Sequence, residues 1–121
     1  MKEVEVYENV PDGSTLELGM EADEPANEGN FTGHVLLITS FEPDQEWLDE
    51  EVHPGPKTHM LESPKAYMLE IRVAFLAAVT ATVTARIIKP NGSVYSTPKV
   101  WTIEGDNEDQ ALRILFIRTE Q

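Results

Sequence analysis

The sequence predicts an all-β domain, a two-sheet antiparallel β-sandwich of the immunoglobulin-like or a related type. Short segments in which apolar and polar residues alternate with period two recur along the chain, and turn-forming residues separate them. The clearest turn, Lys89-Pro90-Asn91-Gly92, lies within the alternating stretch from Val79 to Thr119 and predicts a tight hairpin. We expect one domain over residues 1–121 with about seven or eight strands, and a barrel is the alternative.

The N-terminal part contains three predicted strands. Glu3 to Glu8 and Ser14 to Met20 alternate as half-buried strands do, and Val10-Pro11-Asp12-Gly13 between them predicts a hairpin. Residues 21–29 keep no apolar period and are expected to form an exposed loop. The apolar run from Gly33 to Phe41 is typical of a strand covered on both faces.

A short helical turn is expected near residues 43–52. Pro43 stands near its start and carboxylates occupy its first turn, where the helix dipole favours them. His53-Pro54-Gly55-Pro56 then ends any helix, because proline lacks the backbone donor and restricts the residue before it.

Residues 64–78 fit two interpretations. Ser63 followed by Pro64 is a good helix start, so an α+β fold with a helix at 64–78 is the alternative. Apolar residues nevertheless fall at every second position from Tyr67 to Ile87, with Glu70, Arg72 and three threonines among the residues between them. Strands with a bend near 76–78 are therefore favoured, since a single strand of that length exceeds the usual range.

Two features predict the arrangement of the C-terminal strands. Pro98 interrupts the strand that returns from the 89–92 turn, which favours an edge strand or a bulge there. In the final strand both sides are apolar, which favours a central position; one side carries Leu112, Ile114 and Phe116, and the other Leu115 and Ile117.

Charge is distributed unevenly. Residues 1–60 hold 15 acidic residues against Lys2 and Lys57, a net charge of −13, whereas residues 61–121 hold seven acidic and seven basic residues, a net charge of zero. Direct binding to nucleic acids or anionic membranes is therefore not expected. The chain has no cysteine, which excludes disulfides and thiolate chemistry, and its first residues do not resemble a signal peptide, so we expect a cytoplasmic protein.

Two sets of residues are candidate sites. Asp106, Glu108 and Asp109 form an acidic cluster between two predicted strands, where loop oxygens could bind calcium, although the Asp-x-Asp-x-Asp-Gly pattern is missing. Trp47, in the acidic segment 43–52, is either an exposed anchor for a partner or a cap turned towards the core. With it we group Leu48, Glu50 and Glu51 as a candidate interaction site, while Trp101 is assigned to the core.

Function is predicted mainly by exclusion. We expect a non-catalytic protein-interaction or structural module without cofactors, whose acidic half or exposed sheet edge binds another protein. One alternative is an acidic nucleic-acid mimic that inhibits a DNA- or RNA-binding protein, and a weaker one is a calcium-binding sandwich. An enzyme built on His34, His53 or His59 is weaker still. Homo-oligomers, if they form, are expected along the strands joined by the 89–92 hairpin, where the charges balance.

Overall fold

The computed structural model describes residues 3–39, 42–52, 56–95 and 98–120, and of residue 39 and residues 42–51 it describes the backbone alone. These ranges contain nine β-strands and one exposed 3₁₀ helix, Pro25–Asn30. The strands are β1 (Val4–Val10), β2 (Thr15–Ala22), β3 (Phe31–Thr39), β4 (Glu42–Glu51), β5 (Lys57–Met60), β6 (Ala66–Phe75), β7 (Val79–Ile88), β8 (Lys99–Gly105) and β9 (Gln110–Thr119).

The strands form two sheets, which confirms the predicted two-sheet all-β sandwich. The five-stranded sheet has the order β1-β9-β6-β3-β4, and the four-stranded sheet has the order β5-β2-β7-β8. All pairs are antiparallel except β1 with β9, which are parallel. The order differs from that of an immunoglobulin constant domain, where the last two strands pair as neighbours in one sheet. Here β8 and β9 lie in different sheets.

The core lies between the sheets and is built from alternate residues of each strand. On β7, for example, Ala81, Val83, Ala85 and Ile87 are buried, while the residues between them are partly exposed. Trp101 on β8 is fully buried, as the sequence predicts. The largest fully buried side chains come from both sheets and from Leu61, which follows β5; they are Trp101, Phe31, Leu16, Leu18, Leu37, Leu61, Leu69, Ile71, Ile87, Leu115, Ile117 and Val10.

Of the two segments with helical signals, neither is helical. Residues 66–75 form strand β6, which pairs with β3 and β9, and bends at 76–78 lead into β7, so the strand interpretation is confirmed. The helical turn expected near 43–52 is wrong, because Glu42–Glu51 is strand β4, paired with β3. In a helix Glu42, Glu46 and Glu50 would repeat at four-residue spacing and repel one another, whereas pairing with β3 satisfies the backbone of the extended chain.

The turn at residues 10–13 forms, but it does not make the predicted hairpin. Gly13 has a φ of 79° and Ser14 N donates to Pro11 O at 3.2 Å, so proline and glycine act locally as expected. The strands that it joins belong to different sheets: β1 pairs with β9, and β2 pairs with β5 and β7. The turn therefore connects the two layers of the sandwich.

The predicted hairpin at Lys89 to Gly92 is confirmed. Gly92 has a φ of 90° and its N donates to Lys89 O at 2.8 Å, and beyond the turn Ile88 bridges Val94. Strand β8, which follows Pro98, lies at the edge of its sheet, and β9 lies between β1 and β6, both as predicted. Between the Ile88–Val94 bridge and the Ala85–Lys99 pair, the sequence has two more residues before β8 than it has on β7.

Gly105 provides a test of the packing at one end of the core. A Cβ atom at this position would lie 2.4–2.5 Å from ring atoms of Phe75, which is 2% exposed and has no room to move away. We expect Gly105→Ala to lower the free energy of unfolding by about 1–3 kcal/mol, the usual cost of overpacking. Gly29→Ala is the matched control, because nothing lies within 4 Å of its Cβ position. Equal urea midpoints for the two variants would contradict the described packing.

Candidate interaction surface

The outer face of the five-stranded sheet carries large apolar side chains. Alternation along each strand turns one set of residues to the core and the other outward, and no second layer covers the outward set within the described residues. Of the large apolar outward residues, Val4, Val6, Leu112 and Phe116 are 39–53% exposed, and the others are half-buried. We call the following set the apolar face: Val4, Val6, Leu36, Ile38, Met68, Leu112, Ile114 and Phe116.

Strand register assembles these residues into rows across the sheet. In the first row Val6 pairs with Phe116, Phe116 with Met68, and Met68 with Ile38, so that four neighbouring strands each contribute an apolar side chain. Directly opposed residues in neighbouring strands have Cβ atoms about 4.5–5.5 Å apart, close enough for the side chains to touch. The first row is therefore a continuous apolar strip.

The second row is apolar apart from one residue. Val4 pairs with Ile114, Ile114 with Glu70, and Glu70 with Leu36. The Glu70 carboxylate lies 2.7 Å from an Nη2 atom of Arg72, in the next row. That ion pair balances the one acidic charge within the row, so the centre of the apolar face is electrically neutral.

The third row borders an open hollow of about 540 Å³. Leu112, Arg72 and His34 are aligned by register in this row, and the hollow is also lined by Thr32, Ala74 and Gln110. Its size falls within the range of small-ligand sites, and it combines apolar walls with a few polar groups. The hollow can accept a side chain of a partner that covers the apolar face.

Each row ends at an acidic residue on β4. Ile38 pairs with Glu46, Leu36 with Asp49, and His34 with Glu51. The sequence of β4 contains six acidic residues and no basic one. The apolar face is therefore bordered along this edge by a strand of strongly negative sequence.

The candidate interaction residues Trp47, Leu48, Glu50 and Glu51 all lie on β4. They are thus placed at the edge of the sheet that carries the apolar face, with Glu50 in register with Val35. Their side chains lie outside the described part of the structure, so the choice between an exposed and an inward Trp47 stays a prediction. These four residues lie on a strand, and not on the helical turn that the sequence predicts.

Sequence reasoning missed the apolar face itself. Leu112, Ile114 and Phe116 were correctly placed on one side of a central strand, but their side is open, and the outward side of β3 is likewise only half-buried. Alternation separates the two sides of a strand without showing which side another layer covers. Alternation was misleading in β1, because Val4 and Val6, the apolar side of the pattern, are exposed and Tyr7 on the opposite side is buried.

The acidic cluster Asp106, Glu108 and Asp109 forms a tight turn between β8 and β9. The Asp109 carboxylate accepts a hydrogen bond from Asp106 N at 2.9 Å, and the Asp106 carboxylate accepts one from Asn107 N at 2.7 Å. Glu108 has a φ of 71°, and its N donates to Phe75 O at 3.0 Å. Two of the three carboxylates thus stabilise the turn. Among the described residues, no group of three or more His, Asp or Glu side chains is arranged to hold a metal ion.

The two histidines that the structure describes, His34 and His59, lie in different sheets. His34 lies on β3 in the five-stranded sheet, and His59 lies on β5 in the other sheet, with its ring edge-on to Tyr67 at 6.2 Å between centroids. His53 lies outside the described residues. Burial lowers the pKa of His59; the nearby Glu62 carboxylate opposes this shift, and Lys65 reinforces it.

Comparison of the chain with protein-family models, with curated proteins and with solved structures gives no match. The described residues contain no helix with the length and apolar character that crossing a membrane requires. The chemistry of the sandwich surface is therefore what bears on function.

Calcium provides a direct test of the acidic turn. Because Asp106 and Asp109 already accept hydrogen bonds from turn amides, we expect millimolar calcium to leave the thermal unfolding midpoint unchanged. Magnesium at the same concentration is the control for ionic strength. An increase in the midpoint with calcium alone, lost in Asp109→Asn, would establish a calcium site at this turn.

The lowered pKa of His59 predicts that the stability of the fold depends on pH. Burial lowers the folded-state pKa of His59 below its ordinary value of about 6.5, so the unfolded chain binds the proton more readily. Stability should therefore be fully present above about pH 6.5 and decline as the pH falls below it. We expect His59→Gln to flatten this part of the unfolding profile between pH 7.5 and 5.5, as measured by urea titration at each pH. Parallel profiles for the two proteins would contradict the assignment.

Proposed function

We propose that this protein is a non-catalytic interaction module that binds another protein through the apolar face. The observation that carries the proposal is the first row, in which Val6, Phe116, Met68 and Ile38 form an apolar strip across four strands that no second layer covers within the described residues. Contiguous apolar patches of about 300–600 Å² on monomeric proteins are often functional. Phe116, aromatic and near the centre of the strip, is the expected anchor.

The apolar face is too small to form a stable protein interface by itself. Four strands about 4.8 Å apart and three rows about 7 Å apart span, with their side chains, roughly 20 Å by 20 Å, or roughly 400 Å². A stable protein interface buries about 800 Å² on each partner. The flanking strands must therefore contribute about half of the contact, and their charges become part of the recognition.

The flanks select a partner with a basic rim. Along one side lies β4 with its six acidic residues, and along the other lies β1, on which Glu8 is exposed, with the exposed Glu3 just before it. A surface with an apolar centre and lysine or arginine at its border would match both parts. Such complementary charge speeds association and rejects unsuitable partners.

A second copy of this chain is a poor occupant of the apolar face. Two five-stranded sheets related by a two-fold axis parallel to their strands would place β4 over β1, on which Glu8 is exposed. With the axis across the strands, β4 would lie over β4. Either arrangement sets acidic strands against each other, and like-charge contacts in an interface cost several kcal/mol. The proposed partner is therefore a different protein.

The nucleic-acid mimic remains the alternative, and the apolar face weighs against it. A mimic needs carboxylates spread along one surface like phosphates, whereas here the acidic strand borders an uncharged centre. The two functions differ in salt dependence. A complex formed mainly by charge weakens steeply as salt rises, while burial of apolar area persists.

The proposal is tested by capture of proteins from the native source on immobilised chain. We expect wild-type protein to retain a partner, and Phe116→Glu to reduce its affinity at least about tenfold, because a charge would be buried at the centre of the interface. Val94→Glu is the matched control, since Val94 is similarly exposed, at 44%, but follows the 89–92 hairpin.

The outcome is read from the identity and the salt response of the captured protein. A partner retained by wild type and by Val94→Glu, lost with Phe116→Glu, and stable in roughly 1 M salt, where the screening length is about 3 Å, supports the proposal. Equal capture by all three proteins contradicts it. Capture of a DNA- or RNA-binding protein that is insensitive to Phe116→Glu and released by salt would establish the mimic instead.

A further inference from the structure

The four edge strands of the sandwich differ in how well they are protected against pairing. Strand β1 has a register shift between Tyr7 and Val10, where Asn9 has a φ of 55°, and β4 has two register shifts and six acidic residues. Strand β5 is only four residues long. Bulges, charge and shortness are the usual devices that prevent edge-to-edge association.

Strand β8 has none of these devices in its described length. Its seven residues pair with β7 in unbroken register from Lys99 to Gly105, and they include one basic and one acidic residue, Lys99 and Glu104. Proline is present only before the strand, at Pro98. An edge that is regular, long enough and uncharged overall is able to accept another strand.

The direction of the β8 backbone groups follows from β7. Asp23 N donates to Thr80 O at 2.9 Å, so the backbone groups of Thr80 point towards β2. Because these directions alternate along a strand, the backbone groups of Ala81 and Val83 point towards β8.

The register then divides the residues of β8 into two sets. Trp101 and Ile103 are the partners of Val83 and Ala81, and they direct their backbone groups to β7. The groups of the residues between them, Val100, Thr102 and Glu104, point away from the sheet. All three residues are exposed.

We propose that β8 pairs with β8 of a second copy, antiparallel about a two-fold axis through Thr102, and joins the two four-stranded sheets into one of eight strands. Thr102 then lies opposite Thr102 of the second copy, and Val100 lies opposite Glu104, twice. Each of these three pairs exchanges two backbone hydrogen bonds, which gives six in total. Every outward amide and carbonyl of Val100, Thr102 and Glu104 is satisfied in this register.

The side chains are compatible with this register. On the outer side a threonine pair is flanked by two pairs of valine with glutamate, and neither kind of pair sets like charges opposite each other. On the inner side Trp101 lies opposite Ile103, which extends the apolar layer across the joint. The same pairing of β4 strands would oppose acidic residues along their whole length.

The position of the five-stranded sheet is also compatible with pairing of the two β8 strands. Lys99 Nζ lies 3.6 Å from a carboxylate oxygen of Glu5, which places β1 beside β8 at the same side of the sandwich. Two β1 strands therefore come near each other in the dimer, and Lys99 balances the charge of the Glu5 carboxylate. Thr102 and Phe116 lie in different sheets, so a substitution at Thr102 tests the dimer and one at Phe116 tests the proposed function.

The geometry is tested by cross-linking, because the natural chain has no cysteine. In Thr102→Cys the two thiols lie on Cα atoms about 5.5 Å apart across the two-fold axis. We expect a short bis-maleimide to convert this variant to covalent dimer. The matched control is Thr58→Cys, also an exposed threonine on an edge strand, whose copies would lie seven strand spacings apart, roughly 34 Å.

Sedimentation equilibrium on unmodified protein provides the second measurement. We expect wild type to dimerise with rising concentration, and Thr102→Lys to raise the dissociation constant at least about tenfold, because two lysines would face each other at the axis. Thr58→Lys should leave it unchanged. Wild type that stays monomeric up to about 1 mM overturns the proposal. A dimer that is insensitive to Thr102→Lys, or that cross-links equally through Thr58→Cys, overturns it as well.

Discussion

The insertion of β9 between β1 and β6 is the constraint on which the five-stranded sheet depends. Without β9, strand β1 has no neighbour in that sheet, and Val4 and Val6 lose their connection to Met68. The end of β9 is fixed by side chain and backbone together. Thr119 N donates to Lys65 O at 3.0 Å, and its hydroxyl oxygen accepts a hydrogen bond from Lys65 N at 2.8 Å. This double contact secures the start of β6 and the end of β9 to each other.

The fold also sorts the charges of the chain. Of the 15 acidic residues in residues 1–60, six are on β4, at the edge of one sheet, and four are among residues 21–28, in or before the 3₁₀ helix. The centre of the same sheet is left apolar and neutral. Strands β7 and β8, from the balanced half of the sequence, form the opposite edge of the second sheet. The sandwich thus offers two surfaces of different chemistry, an apolar face flanked by acidic residues and a sheet edge without net charge.

The sequence predicted local structure well and pairing poorly. Period-two alternation correctly placed β6, β7 and β9, and Lys89 to Gly92 formed the expected hairpin, because alternation and turn chemistry depend on adjacent residues. The Pro11-Asp12-Gly13 turn formed too, yet its two strands separated, since the partner of β1 lies more than 100 residues away.

The candidate site was predicted only in part. Trp47 and its neighbours lie on β4, at the border of the apolar face. The sequence predicted a helical turn for them, because the proline and the early carboxylates were given more weight than the repulsion between glutamates four residues apart. The apolar face escaped notice because exposure is a property of the whole assembly. Nothing in the pattern of Leu112, Ile114 and Phe116 shows that no layer lies above them.

The parallel pairing of β1 with β9 has a mechanical consequence. Val4 is in register with Ile114, and Val10 with Thr119, so the start of β1 and the end of β9 lie at opposite ends of the pair. Tension applied to the chain at these two ends pulls the strands past each other along their length. The hydrogen bonds between them then share the load together, instead of opening one after another as they would in a hairpin pulled apart at its open end.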